Sequence, residues 1–114
     1  METRKVTAII GNQRLEAVER RLEEIGVEGV SVSRVKGYGD YRNFYTRDWM
    51  TSHARIEVFT DRERADEIAR AIMDAAHTGL AGDGIVAVLP VERVYRIRTK
   101  SEATQDDFQG GERG

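Results

Sequence analysis

An α+β domain with the order strand, helix, strand, strand, helix, strand is what this sequence predicts, on three observations. Four segments are apolar or alternate like strands. Two segments repeat apolar residues at helical spacing. Glycines or a capping pair stand at the junctions between them.

Lys5 to Ile10 (KVTAII) is dense in β-branched residues and predicts the first strand, ended by Gly11-Asn12. Leu15, Val18, Leu22 and Ile25 then share one helical face, while Glu16, Glu19, Arg20, Arg21, Glu23 and Glu24 take the wet side. Gly26 suits the residue just past that helix. Gly29 to Val35 (GVSVSRV) alternates as a second strand, and Lys36-Gly37-Tyr38-Gly39 breaks it. Residues 40–53 keep no period. They mix Tyr41, Phe44, Tyr45 and Trp49 with Asp40, Arg42, Arg47 and Asp48, as a functional or mobile loop does. Its plain alternative is a hairpin tip packed on a neighbouring subunit.

Ala54 to Thr60 (ARIEVFT) predicts a third strand with Ala54, Ile56 and Val58 inward. Thr60 and Glu63 fit a capping box that starts the second helix. Ala65, Ile68, Ala69, Ile72, Met73 and Ala76 form its expected buried stripe. Ile85 to Leu89 predicts the fourth strand. Pro90 suits a break or an edge, and Val91 to Arg98 reads as one more short strand. From Lys100 the pattern stops, so residues 1–99 form one domain and residues 100–114 a flexible polar tail. This order is the ferredoxin-like split βαβ arrangement, whose helices cover one sheet face. Ile9, Val35, Phe59 and Val86 are assigned to the other face. Another copy of the chain is its simplest cover, which predicts an oligomer.

Composition narrows the chemistry. The chain of 114 residues has no cysteine, which excludes disulfides, thiolate metal sites and a Cys nucleophile. Its 18 basic and 20 acidic side chains leave a formal charge of −2, without the basic stripe that nucleic-acid binding calls for. The longest apolar run, Ile85 to Leu89, is too short to span a bilayer, and the first residues lead straight into a strand with no secretory apolar region. The expectation is a soluble, cytoplasmic protein with no resident metal. His53, His77 and Asp83 have no nucleophile–base partner at telling spacing, so no enzyme is expected.

Two features point to an anionic ligand. Thr78-Gly79-Leu80-Ala81-Gly82-Asp83-Gly84 can bring bare backbone N–H groups close to phosphate. Arg96 and Arg98, at i and i+2 of the expected last strand, would aim two guanidinium forks to one side. The alternative for this pair is an inter-subunit ion pair with Glu57 or Asp83.

Four segments, in order, resemble the PII signal-transduction family. They are Glu24 to Gly29 (EIGVEG), Val35 to Gly39 (VKGYG), Thr78 to Gly84 (TGLAGDG) and Arg93 to Thr99 (RVYRIRT). The resemblance covers about Lys5 to Thr99. It implies a homotrimer of ferredoxin-like subunits with an adenine nucleotide in each cleft between subunits. By the family's pattern, Ile9, Ser31 and Phe59 line the adenine, with Gly29 and Val30 beside it. Gly37 and Gly39 fall at the base of the T-loop, about residues 37–54, which touches partner proteins. Gly82, Asp83 and Gly84 belong to the B-loop on the phosphates. Arg96 and Arg98 belong to the C-loop, contributed by the adjacent subunit.

The chain departs from that pattern in three ways. The lysine that follows Gly-Asp-Gly in the family is Ile85 here, which favours ADP or AMP over ATP. The T-loop is short, and the family's glutamine and lysine for magnesium and 2-oxoglutarate fall at Tyr41 and His53, so dicarboxylate sensing should be weak. Tyr38, Tyr41 and Tyr45 do not match the context of the family's modified tyrosine. Such departures resemble the carboxysome-associated branch, which senses ADP or AMP together with bicarbonate. Gly39, Tyr41, Arg47 and His53 are the candidate small-anion residues, and the implied partner is a regulated protein or transporter contacted through residues 37–54.

Overall fold

A computed structural model describes residues 2–37 and 51–108. Its elements are β1 (Thr3–Gly11), a 3-10 turn (Asn12–Arg14), α1 (Leu15–Glu24), β2 (Ser31–Gly37), β3 (Thr51–Asp61), α2 (Arg62–Ala76), β4 (Gly84–Val91), β5 (Tyr95–Arg96), β6 (Ser101–Glu102) and a second 3-10 turn (Gln105–Phe108). The first four strands form an antiparallel sheet ordered β2-β3-β1-β4, and β5 and β6 form a separate ribbon. This is the expected ferredoxin-like subunit.

Alternation sorts the sheet's two faces. Val6, Ala8 and Ile10 of β1 and Ala54, Ile56 and Val58 of β3 turn inward, onto Val18 and Leu22 of α1 and Ala65, Ile68 and Ile72 of α2. Helix α1 ends at Gly26, φ +86°, with bonds from Gly26 N to Glu23 O (3.0 Å) and Val27 N to Leu22 O (2.9 Å), a Schellman motif. Arg14 reaches across to the end of α2, its Nε and Nη2 donating to the Ala75 carbonyl at 3.0 and 2.6 Å.

Several expectations need correction. Thr60 does not cap α2. It remains in β3, opposite Arg4, and Asp61 is the cap, its carboxylate accepting from Arg64 N at 2.9 Å. Met73 is 50% exposed and Ala71 is buried in its place. Val86 lies opposite Ala8 and packs on the core, so it belongs to the helix face, and Ile85 takes the open face opposite Ile9. The last expected strand is only Tyr95–Arg96. The chain then turns over residues 97–100, with Lys100 at φ +54°, and comes back as β6. Residues 101–108, read as unpatterned tail, hold β6, a buried Ala103 and the second 3-10 turn. Pro90 sits on edge strand β4, where its missing N–H breaks no inner ladder.

Among the described residues the buried Thr60 hydroxyl has no hydrogen-bond partner. Thr60→Val, which removes that hydroxyl at nearly constant shape, is therefore expected to stabilise the fold by about 1 kcal/mol. Thermal melts check this; a lowered Tm would show that the hydroxyl has a partner such as a bound water.

Candidate functional site

A cleft of about 530 Å³ opens where the α1–β2 connection faces the end of β3 and the start of α2. Gly29, Val30, Ser31 and Phe59 all border it, so four of the residues expected around the adenine meet there. Antiparallel pairing explains the meeting: Ser31 lies opposite Glu57 on β3, two residues from Phe59 on the same sheet face. Ile9 does not join the cleft. It stands on the open face beside Arg55 and Ile85.

Among the further lining residues that sequence reading did not assign to the adenine site are Glu57, Arg64, Asp107 and Phe108. Glu57 was findable, because inward Ile56 and Val58 force it outward. Lys5 Nζ sits 2.7 Å from its carboxylate, with Arg55 Nε at 3.9 Å. The hydrogen bond from Lys5 is the chief reason its carboxyl is held below the usual carboxylate range. Arg64 donates to the Ile25 carbonyl and pairs with Glu67 at 3.1 Å. Asp107 and Phe108 carried no periodic signal.

The glycine loop lies at the other end of the sheet. It closes on Asp83, whose carboxylate accepts from Thr78 N (2.9 Å), Gly79 N (2.9 Å) and the Thr78 hydroxyl. Leu80 N donates to the Thr78 hydroxyl at 3.2 Å. The amides of Thr78 and Gly79, which the sequence offered to a ligand, thus serve the loop itself. Gly82, Asp83 and Gly84 follow, and Asp83 and Gly84 border a smaller pocket of about 230 Å³. His53 is buried beneath this loop, its Nε2 3.2 Å from the Gly82 carbonyl oxygen.

Arg96 and Arg98 do not share a strand face. Arg96 is in β5 and its guanidinium pairs with Asp107, whereas Arg98 is exposed in the following turn. Within the chain, the acid that pairs with Arg96 is Asp107, while Glu57 pairs with Lys5. Gly37 closes β2. Gly39, Tyr41 and Arg47 lie outside the described residues. Among the described residues, no group of three or more His, Asp or Glu side chains is placed to hold a metal ion.

Register measures the separation of the two regions. Phe59 lies opposite Lys5 and Gly84 opposite Ile10, on strands that flank β1 on opposite sides. At strand rise and spacing, they are roughly 20 Å apart.

Comparison with known proteins matches this arrangement. The family model described as "Nitrogen regulatory protein P-II" matches residues 3–101. The chain is 36% identical over 104 residues to the nitrogen regulatory protein P-II of Azospirillum brasilense, covering 84% of this chain and 92% of that one. It is 35% identical over 107 residues to that of Pasteurella multocida, covering 87% and 95%. Among solved structures, Arabidopsis thaliana PII bound to citrate superposes with a TM-score of 0.78 at 32% identity, covering 90% of this chain and 89% of that one. With the fold, the loop and the match over most of its length in agreement, the chain belongs to the nitrogen regulatory protein P-II family.

Proposed function

We propose that this chain is a regulatory protein that binds an adenine nucleotide, ADP or AMP in preference to ATP, in the clefts between subunits of a homotrimer. Bicarbonate is its proposed second ligand. Through residues 37–54 it would control a partner protein or membrane transporter of inorganic-carbon metabolism. The observation that carries the reading is the gap of roughly 20 Å between the residue 29–31 cleft and the glycine loop. A mononucleotide is shorter than that gap, so in the proposed site one copy supplies the cleft and another the glycine loop.

The open sheet face supports such an assembly. Phe59 is 45% and Ile85 46% exposed there, an apolar surface that a neighbour would cover. Ile85 also supports the preference for fewer phosphates, because it places an alkyl group, not a cation, just after the loop. No helix among the described residues is long and apolar enough to cross a membrane, and the proposed setting is the cytoplasm. A nitrogen-regulatory role with ATP and ADP is the second reading, favoured by the names of the Azospirillum and Pasteurella relatives.

Calorimetric titration tests the proposal. The parent should bind ADP and AMP more tightly than ATP, and bicarbonate should change the affinity for ADP. Arg96→Ala/Arg98→Ala should remain trimeric and lose on the order of 100-fold in affinity, as two charge-assisted contacts to phosphate imply. Parent-like binding by the double variant would remove the proposed phosphate contact. ATP as the tightest ligand, with no response to bicarbonate, would favour the second reading.

A further inference from the structure

We infer that residues 103–108 are a built-in competitor for the nucleotide site: Asp107 occupies the Arg96 guanidinium, and Phe108 sits at the cleft that Gly29, Val30 and Ser31 border. The inference rests on the proposed role of Arg96 as a phosphate contact. It goes beyond that role by assigning the site a second, internal ligand.

The segment is held in place at two points. Ribbon β5–β6 turns the chain back on itself, and Ala103 N donates to the Val94 carbonyl at 2.8 Å while its methyl group is buried. At the next residue, Thr104 N and the Thr104 hydroxyl donate to Asp107 Oδ2 at 2.7 and 3.3 Å, and Asp107 N returns a bond to the Thr104 carbonyl at 3.0 Å. That turn aims Oδ1 at Arg96 Nη1 and leaves the next residue, Phe108, at the cleft. The pair is partly shielded, with side chains 35% exposed for Arg96 and 18% for Asp107.

A carboxylate and a phosphate offer a guanidinium the same thing, two adjacent anionic oxygens. They therefore compete for Arg96, and the dianionic phosphate prevails once its concentration suffices. Ring and base compete in the same way, since Phe108 lines the cleft in which an adenine would pack. Binding then frees residues 103–108, and by linkage anything that captures the freed segment tightens the nucleotide by the same factor.

The opposite role for Asp107 is to orient Arg96 toward the ligand, and the two roles differ in sign. In the whole 114-residue chain, Asp107→Asn keeps the shape and removes the charge. It should bind ADP about fivefold more tightly than the parent, the scale of a partly exposed ion pair. Glu102→Gln, which alters the 3.9 Å Arg93–Glu102 pair on the same ribbon, should bind as the parent does. Hydrogen exchange on the unmodified protein gives an independent readout: saturating ADP should lower the protection of the Ala103 and Asp107 amides.

Equal or weaker binding by Asp107→Asn, or amides better protected with ADP, overturns the competitor. If the parent binds ADP and Arg96→Ala/Arg98→Ala does not, that failure leaves the proposed nucleotide site standing. If neither the parent nor Asp107→Asn binds any adenine nucleotide, both readings fall together.

Discussion

Gly84→Ala is expected to lower the melting temperature by about 15 °C or more, the largest stability effect of any small substitution at the site. A Cβ built there would lie 1.8 Å from the Ile9 carbonyl oxygen and 2.8 Å from its carbon, at a backbone φ of +105°. Both obstacles are main chain, and Ile9 is fixed in β1, which pairs with β3 on one side and β4 on the other. No side-chain rotation relieves the clash. Strand β4 would have to lift from β1 at Ile10–Gly84 and Ile9–Ile85. The left-handed backbone alone costs about 1–2 kcal/mol for an alanine, and the lost pairing raises the total to roughly 3–5 kcal/mol. That is a large share of the roughly 5–15 kcal/mol that holds a small domain together. Gly29→Ala is the contrasting case, because its Cβ would meet nothing within 4 Å. Its melting temperature should stay near that of the parent, since open-surface changes are usually within about 0.5 kcal/mol. Circular dichroism melts of the two variants check the pair of expectations. A Gly84→Ala protein melting within a few degrees of the parent would mean that β4 tolerates displacement at its first residue.

Much of the fold was legible where burial follows a period, and legibility stopped where register or packing decides. Amphipathic helices and alternating strands announce themselves because burial sorts side chains by period. The inward Val6, Ala8 and Ile10, and the Gly26 helix end, followed directly. Ile85 to Leu89 did not, since an all-apolar run says nothing about which face each residue takes. Only the Ala8–Val86 register decides it. Thr60 and Asp61 are adjacent residues that can both cap a helix, and the choice was made by how far β3 stays paired with β1. Met73 and Ala71 differ by the angle at which α2 rests on the sheet, a packing property with no trace in periodicity. At the site, Gly29, Val30, Ser31 and Phe59 were recognisable and meet, while Arg96 and Arg98 were read as one strand face and are divided by a turn. The order of residues 101–108 depends on one buried alanine and one Thr104–Asp107 turn, too few residues to leave a pattern.

Asp83→Asn should weaken ADP binding by more than about tenfold, although it removes a negative charge from a proposed phosphate site. Electrostatics alone predicts the reverse, since a free carboxylate beside phosphate repels it. Asp83 is not free: three donors, Thr78 N, Gly79 N and the Thr78 hydroxyl, converge on its two oxygens. Asparagine offers one acceptor oxygen and turns an NH2 toward the remaining donors, so the loop loses the turn that presents Gly82 to Gly84. The same geometry sets the acid limit of the loop. Desolvation pushes the Asp83 carboxyl up, but the bonds from Thr78 and Gly79, with His77 nearby, outweigh it and hold the group below its ordinary value. A depressed carboxyl contributes its stability above the unfolded value of about 3.9 and loses it as pH falls through the lower folded value. Loop order and ADP affinity should therefore show no Asp83-dependent change between pH 6 and 8, about two units or more above that range, and this contribution should fail only in strong acid. Calorimetry on parent and variant at neutral pH decides between the two roles by sign alone. Tighter binding by Asp83→Asn would make the residue an electrostatic gate; weaker binding makes it the internal anion around which the phosphate loop is folded.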